Sequence, residues 1–593
     1  MQPFTAPVGK DGQPPMFRFC SMIACLLVVG LCLGCHESGP RPAARADAIY
    51  FGGTIITVND AQPTAEAVAV KDGKIQAIGS RADLEREHKG RRTQMLDLAG
   101  KTLIPGFFDA HSHLGQVGLQ AISANLLPPP DGPVKSIAQL QQVLRDYLAN
   151  SPNVKKYGVL MGFDYDDSQL AEKRSPTRQE LDAVSTDIPV FIIHQSGHIG
   201  VYNSRALANA GVTADTPNPE GGVIGREADG KTPNGVMEEN AHLTMLLKSL
   251  PQFTAQQVIE LVEAAQELYI ANGFTTAQEG RADPTMLAMF PAVAKAGKLK
   301  IDVVVYPDLV LNQNNPILNG PLMSRNYTNH LRLGGVKLGF DGSPQGKTAW
   351  FTKPYFVEPA GQPASYRGYP IFAMDEEALV LMTKAYQNNW QVLVHANGDA
   401  AIDQLIRIVR AAQAAVPGDD RRTVLIHGQY MRANQVREIK KLGIFPALFP
   451  MHTFYWGDWH RQSVAGPERA ENISPTGWMV ANHIKFTIHS DAPVTLPNSM
   501  RVFDTAVNRK TRTGYVLGPQ QRIEPMTALK AMTIWAAYQH FEESTKGSIE
   551  VGKLADLVIL SDNPLTVDHT RLPDINILET IKNGRSIYKR AAN

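Results

Sequence analysis

The chain carries a repeating unit that few folds accommodate: short apolar runs, each followed by a helical stretch, in which the last residues of the run turn polar. From Gly273 onward the runs are "FTTAQEG" (274–280), "KIDVVVYP" (300–307), "GGVKLGFDG" (334–342), "QVLVHA" (391–396), "TVLIHGQ" (423–429), "IFPALFP" (444–450) and "KFTIHSDAPV" (485–494). With "TLIPGFFDAH" ahead of them the count is eight. Eight strand and helix units predict an α/β chain built as a (β/α)₈ TIM-type barrel, whose chemistry sits at the C-terminal ends of the strands. Residues 115–262 fall outside the count and are longer than any ordinary loop, which predicts an inserted subdomain after the first barrel strand.

Both ends of the chain are β-rich. "AIYFGGTIITVND" and "AEAVAVKDGKIQAIGS" near the N-terminus are matched by "GSIEVGKLADLVILSDNP" and "IKNGRSIYKR" near the C-terminus. Neither segment has enough alternating strand to bury a core alone, so residues 47–100 and 545–593 are expected to share one small composite β-sandwich. The barrel then spans 101–544. The formal net charge of +1 gives no basis for a nucleic-acid surface.

All four cysteines, Cys20, Cys25, Cys32 and Cys35, lie in one window near the N-terminus. The uncharged run "FCSMIACLLVVGLCLGC" (19–35) is short for a membrane span and suits the apolar part of a signal peptide, with Met16 as a plausible start. Its ending "LCLGC" resembles the bacterial lipoprotein box, with Cys32 where that box usually has Leu. The resemblance implies cleavage before Cys35, lipidation of that cysteine, a polar tether over 36–46 and a lipid-anchored protein of the cell envelope facing the periplasm. A retained N-terminal anchor is the alternative. Cleavage would leave no disulfide and no cysteine for a metal.

Polar residues at the strand ends carry the chemistry. His111 and His113 are separated by one residue and so face the same way on a strand. Lys337, His395, His427 and Asp491 end later strands. Singly, each histidine reads as an ordinary core or surface residue. Together on one rim, these groups would carry an unexplained desolvation cost. Imidazole and carboxylate donors suit a borderline divalent cation such as zinc, with donor atoms within about 4 Å of one or two metal positions. Lys337 has two readings. Buried beside a metal, its amine would lose its proton and could capture carbon dioxide as a carbamate; otherwise it is the cation of an ion pair with Asp341.

The stretches "PGFFDAHSHL", "VKLGFDGSPQGKTA", "VHANGDAAID", "LIHGQ", "SDAPV" and "GSIEVGKLADLVIL" resemble the metal-dependent amidohydrolase superfamily, in its YtcJ-like branch, over about Ala48 to Lys589. The resemblance implies that His111, His113 and Asp491 hold one metal, that His395 and His427 hold another, and that carbamylated Lys337 bridges them. It also implies hydrolysis of an amide, N-acyl or cyclic amide bond of a small molecule by metal-activated water, with Asp491 moving the proton. The segment "SGHIGVYNSRALANAGV" offers His198, Tyr202 and Asn203 as substrate-binding candidates; packing within the insertion is their bland alternative. His489 stands where the branch usually has Gly, as a group that crowds the site or orients Asp491. Two rival readings stay open: a mononuclear deaminase on the same barrel, and a non-catalytic solute-binding lipoprotein. The expected partners are a small-molecule substrate and, through lipid alone, a membrane; a homodimer is left open.

Overall fold

The computed structural model describes residues 45–359 and 361–591. The signal peptide, Cys35 and nearly all of the tether lie outside the described residues.

Two arcs of parallel strands make the central layer. One runs Leu331–Leu333, Asp302–Pro307, Phe274–Ala282 and Phe107–Phe108; the other runs Gly335–Gly339, Gln391–Ala396, Val424–His427, Phe445–Leu448 and Thr487–Ile488. The arcs meet where the 331–339 segment pairs backward with its first half and forward with its second. Gly334 makes that switch, because a Cβ there would stand 2.6 Å from the Tyr306 ring. At the opposite seam no ladder forms, but the Asp491 N–H donates to His111 O at 3.2 Å and the His113 N–H to Ala492 O at 2.7 Å. Helices alternate with these strands. In Asp399–Ala415 the buried positions Ala401, Leu405, Ile408 and Ala412 recur every three or four residues, the spacing that lays one face of a helix on a sheet.

The chain ends share one eight-stranded sheet, ordered Arg585–Lys589, Ile577–Lys582, Leu557–Leu560, Thr102–Pro105, Ala48–Ile56, Thr64–Lys71 and Lys74–Gly79, with Gln94–Asp97 also on Ala48–Ile56. Here the structure departs from the sequence expectation. The run "TLIPGFFDAH" is not one barrel strand: Thr102–Pro105 belongs to the end sheet, and only Phe107–Phe108 joins the parallel arc. Gly106 turns the chain between them, against Thr275, whose side chain lies 2.5 Å from where a Cβ would sit. Both halves are apolar and buried, so hydropathy alone does not divide them.

A third sheet lies wholly inside the insertion, ordered Gly222–Arg226, Pro233–Glu239, Ile199–Tyr202, Val190–His194, Leu160–Tyr165 and Ala124–Asn125. The expected end of the insertion at 262 falls inside the helix Ala255–Ala271, whose Val262, Ala265, Tyr269 and Ile270 join the main core.

A buried ion network ties the end sheet to the parallel layer. Asp302 Oδ2 accepts from Lys546 Nζ at 2.6 Å and Lys582 Nζ at 2.5 Å, and Lys582 also reaches Asp556 at 2.7 Å. Burial would raise the Asp302 carboxyl, but the two ammonium groups hold it well below the usual carboxylate range. Asp302→Asn removes the carboxylate that two buried cations share, leaving Lys546 to Glu542 and Lys582 to Asp556 alone, and is expected to cost about 3–5 kcal/mol in denaturant unfolding. A change below about 1 kcal/mol would show that the network is not a structural tie.

Candidate metal centre and substrate cavity

The residues at the strand ends converge. The His111, His427 and Asp491 ligand atoms lie within 4.8 Å of one another. Asp491 Oδ1 stands 3.3 Å from His113 Nε2 and 3.5 Å from His111 Nε2, and Oδ2 stands 3.7 Å from His427 Nε2. His427 Nε2 is 3.1 Å from His395 Nδ1, a spacing with room for only one proton between two ring nitrogens. Lys337 Nζ lies 3.1 Å from His111 Nε2. The centre sits at the floor of a cavity lined by His113, Lys337, His395, His427 and Asp491, with His111 buried behind them.

The backbone is strained where these side chains leave it. His427 has φ 71° and Asp491 has φ 55°, left-handed values that cost a non-glycine residue of order 1–3 kcal/mol. Such strain at two of three convergent donors is the mark of a site held by its surroundings.

Neighbours outside the strand-end set orient the donors. Gln278 Nε2 donates to Ala110 O at 2.9 Å and lies 2.9 Å from His540 Nε2, and His540 Nδ1 is 2.9 Å from Ala536 O. With its amide turned that way, Gln278 presents Oε1 to His111 Nδ1 at 2.6 Å. The proton of His111 therefore sits on Nδ1, and the Nε2 lone pair faces Asp491, the arrangement of a metal-ligating imidazole. Gly280 permits it: a Cβ there would stand 2.3 Å from His111 Cε1. Glu279 is the second neighbour, 3.7 Å from His113 Nδ1 and anchored by the Gly115 N–H at 2.8 Å. A run reading "AQEG" in a strand gave one signal for both, since two adjacent polar residues inside an apolar strand need partners.

Electrostatics favour neutral rings at His111, His395 and His427 and an ionised Asp491. Burial, reinforced by Lys337 and by neighbouring rings, holds His111, His395 and His427 well below the ordinary histidine value. Burial would also lower His113, but Asp491 and Glu279 outweigh it and hold it above that value. Burial would raise Asp491, yet His113, 3.3 Å away, keeps it below the usual carboxylate range. Burial brings Lys337 down to about 7. Asp491 Oδ1 has no hydrogen-bond partner. A buried carboxylate ringed by imidazole nitrogens, with one oxygen open, is the donor set a divalent cation completes, and the residues present fit that group.

The ion-pair reading of Lys337 is corrected by the geometry. Asp341 spends its carboxylate on the backbone N–H groups of Asn397, Gly398 and Trp350, at 2.9, 2.8 and 3.0 Å, and burial raises it to about 7. Lys337 and Asp341 face the same cavity without pairing. His489 packs beneath the centre, its ring stacked on Phe449 at 4.8 Å and 5.4 Å from the His111 ring, and burial lowers it to about 4.

Of the insertion candidates, His198 lines the cavity, with its ring 5.2 Å from that of His395. Tyr202 and Asn203 do not. Tyr202 is fully buried in the insertion's own core with its hydroxyl 2.9 Å from His242 Nδ1. Asn203 caps the helix Ser204–Asn209 through Ala206 N–H and ties down Val190 N–H, Ser185 O and Ile188 O. Both serve the packing of the insertion, a structural duty that a short motif does not distinguish from binding. Glu239, Arg281 and the leucines of the helix Asn240–Ser249 line the cavity as well.

Residues 94–588 match the amidohydrolase family. The chain is 26% identical to the N-substituted formamide deformylase of Arthrobacter pascens, over 92% of this chain and 99% of that one. It is also 26% identical to the YtcJ protein of Bacillus subtilis (strain 168), grouped by name with the amidohydrolases, over 92% of this chain and 100% of that one. A metal-dependent hydrolase of Pyrococcus horikoshii OT3 superposes with a TM-score of 0.69 at 24% identity, covering 88% of this chain and 99% of its own. The match over most of the chain places this protein in the amidohydrolase family.

Proposed function

We propose that the protein is a hydrolase that cleaves a carbon–nitrogen bond of a small amide on a (β/α)₈ barrel, using one or two divalent ions, zinc by the chemistry of the donors. The observation that carries the reading is the convergence of His111, His427 and Asp491 within 4.8 Å at the floor of a cavity. The likeness to a formamide deformylase supports an acyl–nitrogen bond as the target.

When bound, the metal supplies a Lewis acid and brings the pKa of coordinated water to about 7. His111, His113, His395, His427 and Asp491 would hold it, and Lys337 as a carbamate would add an anionic donor. Asp491, ionised and open at Oδ1, accepts a proton from the attacking water and returns it to the leaving nitrogen. His113, beside it at 3.3 Å, stabilises the carboxylate while the proton is away from it. The apolar outer wall from Phe163, Leu243, Leu246 and Met286 keeps bulk water from the bond being cut.

One observation favours the mononuclear deaminase: of the strand-end donors, His111, His427 and Asp491 draw together as a single triad. Metal-reconstituted protein run on a panel of formamides, acetamides, cyclic amides and aminated heterocycles, with metal counted by mass spectrometry, separates the readings. Acid release from amides with two metals per chain is the expected result. Ammonia release from heterocycles with one metal would move the protein to the deaminases, and ligand retention without turnover to the binding proteins.

We also propose export and lipid anchoring at Cys35. Among the described residues no helix is long and apolar enough to cross a membrane, and the support for the anchor is the N-terminal sequence. The several acyl chains of a bacterial lipoprotein hold it stably, so Cys35→Ser is expected to move the protein from the membrane to the soluble periplasmic fraction. An unchanged membrane fraction defeats the proposal.

A further inference from the structure

Glu239 is the last residue of the strand Pro233–Glu239 and precedes the helix Asn240–Ser249. Its backbone is at φ 50°, ψ −122°, a conformation that a side chain disfavours, and the residue is only 8% exposed. One carboxylate oxygen, Oε2, lies 2.7 Å from His198 Nδ1, and the Glu239 N–H also donates to His198 O at 2.8 Å. The other oxygen, Oε1, has no hydrogen-bond partner. It packs on Gly342, where a Cβ would stand 2.2 Å away, beside Asp341 on the barrel side of the cavity. A buried carboxylate with a free oxygen on a strained backbone is costly for a purely structural contact. Both residues line the cavity that holds the metal donors, and the His198 ring touches that of His395.

We infer that Glu239 and His198 form a pair that orients the substrate by accepting the N–H of the amide to be cleaved, so that the site selects secondary over N-alkylated tertiary amides. The inference rests on the hydrolase reading above and adds a requirement on its substrate. A carboxylate only accepts, so it places the imidazole proton of His198 on Nδ1 and leaves Nε2 with a lone pair. That lone pair is complementary to a hydrogen-bearing nitrogen and repels a carbonyl oxygen. An amide whose carbonyl turns to His111, His427 and Asp491 presents its nitrogen to the remaining wall of the cavity. A tertiary amide has no hydrogen to offer there, and the acceptor stays unpaired. Glu239 is a positioning residue in this scheme, acting through His198.

The test uses metal-loaded protein with N-butylformamide and N-butyl-N-methylformamide as probes, reading both binding by calorimetry and turnover. The wild type is expected to bind the secondary amide at least about tenfold more tightly, the worth of one hydrogen bond of about 1.4 kcal/mol. His198→Phe keeps the bulk but removes the acceptor, and the ratio should fall to within about twofold. Glu239→Ala should lower it in the same direction. A preference that survives His198→Phe is steric and overturns the inference, as does equal binding of the two probes, or binding of neither, by the wild type. Nitrogen-15 histidine spectra at pH 8, assigned with His198→Phe, give a readout independent of activity. The Nδ1–H tautomer is expected in the wild type and a tautomer mixture in Glu239→Ala, and an Nε2–H tautomer in the wild type overturns the pair. Binding with the expected ratio but without hydrolysis counts against the hydrolase reading and leaves the orienting pair standing.

Discussion

Asp491→Asn is expected to lower kcat by about 10²–10⁴-fold, the usual worth of a positioned general acid–base group. Asparagine keeps the size of the side chain and removes its charge and its ability to take a proton. The carboxylate faces His111, His113 and His427 at 3.3–3.7 Å, with Oδ1 open. In the proposed mechanism its loss removes both an anionic donor for the metal and the proton carrier. The effect should appear in kcat more than in KM, because the interaction is made in the transition state. Circular dichroism and the thermal midpoint of the metal-free variant check that folding is intact. Activity within a factor of about three of the wild type would show that another group moves the proton.

The second large effect is expected at Lys337. The side chain is 1% exposed, lies 3.1 Å from His111 Nε2 and has no ion-pair partner at Asp341. Burial brings its amine down to about 7, so an appreciable neutral fraction exists at neutral pH, the form that captures carbon dioxide. Lys337→Ala is expected to lose most activity and much of the bound metal. Acetate or propionate should restore part of each by supplying the missing oxygen donors. Metal content by mass spectrometry and activity with and without the carboxylate are the measurements. Full activity with unchanged metal defeats the bridging role and moves the mononuclear reading forward. Loss of both without rescue shows a lysine required as an amine.

The strands that carry the centre were legible because apolar runs ending in His, Lys or Asp break the hydropathy pattern at the one place where a barrel puts chemistry. The alternation around Lys337 also read correctly. Val336, Leu338 and Phe340 enter the core, while Lys337, Gly339 and Asp341 face the cavity. A period of two is a property of the backbone and survives any tertiary context.

What the alternation could not say is what each facing residue would touch. Lys337 and Asp341 share a face, yet Asp341 is claimed by three backbone N–H groups, two of them more than fifty residues away. Tyr202 and Asn203 sit within five residues of His198, yet one fills a core and the other caps a helix.

The sequence by itself determined the family, the parallel layer, the joining of the two chain ends and the set of polar residues at the strand ends, all of which follow from local periodicity and motif. Only the tertiary structure decided the division of the run at Gly106, the tautomer of His111 through Gln278 and the pairing of Glu239 with His198. These depend on hydrogen bonds and close approaches between residues 41 to 169 positions apart. Desolvation makes each such polar contact obligatory once it is buried, but which partner answers it is set by the packing of whole elements, and no local pattern records that.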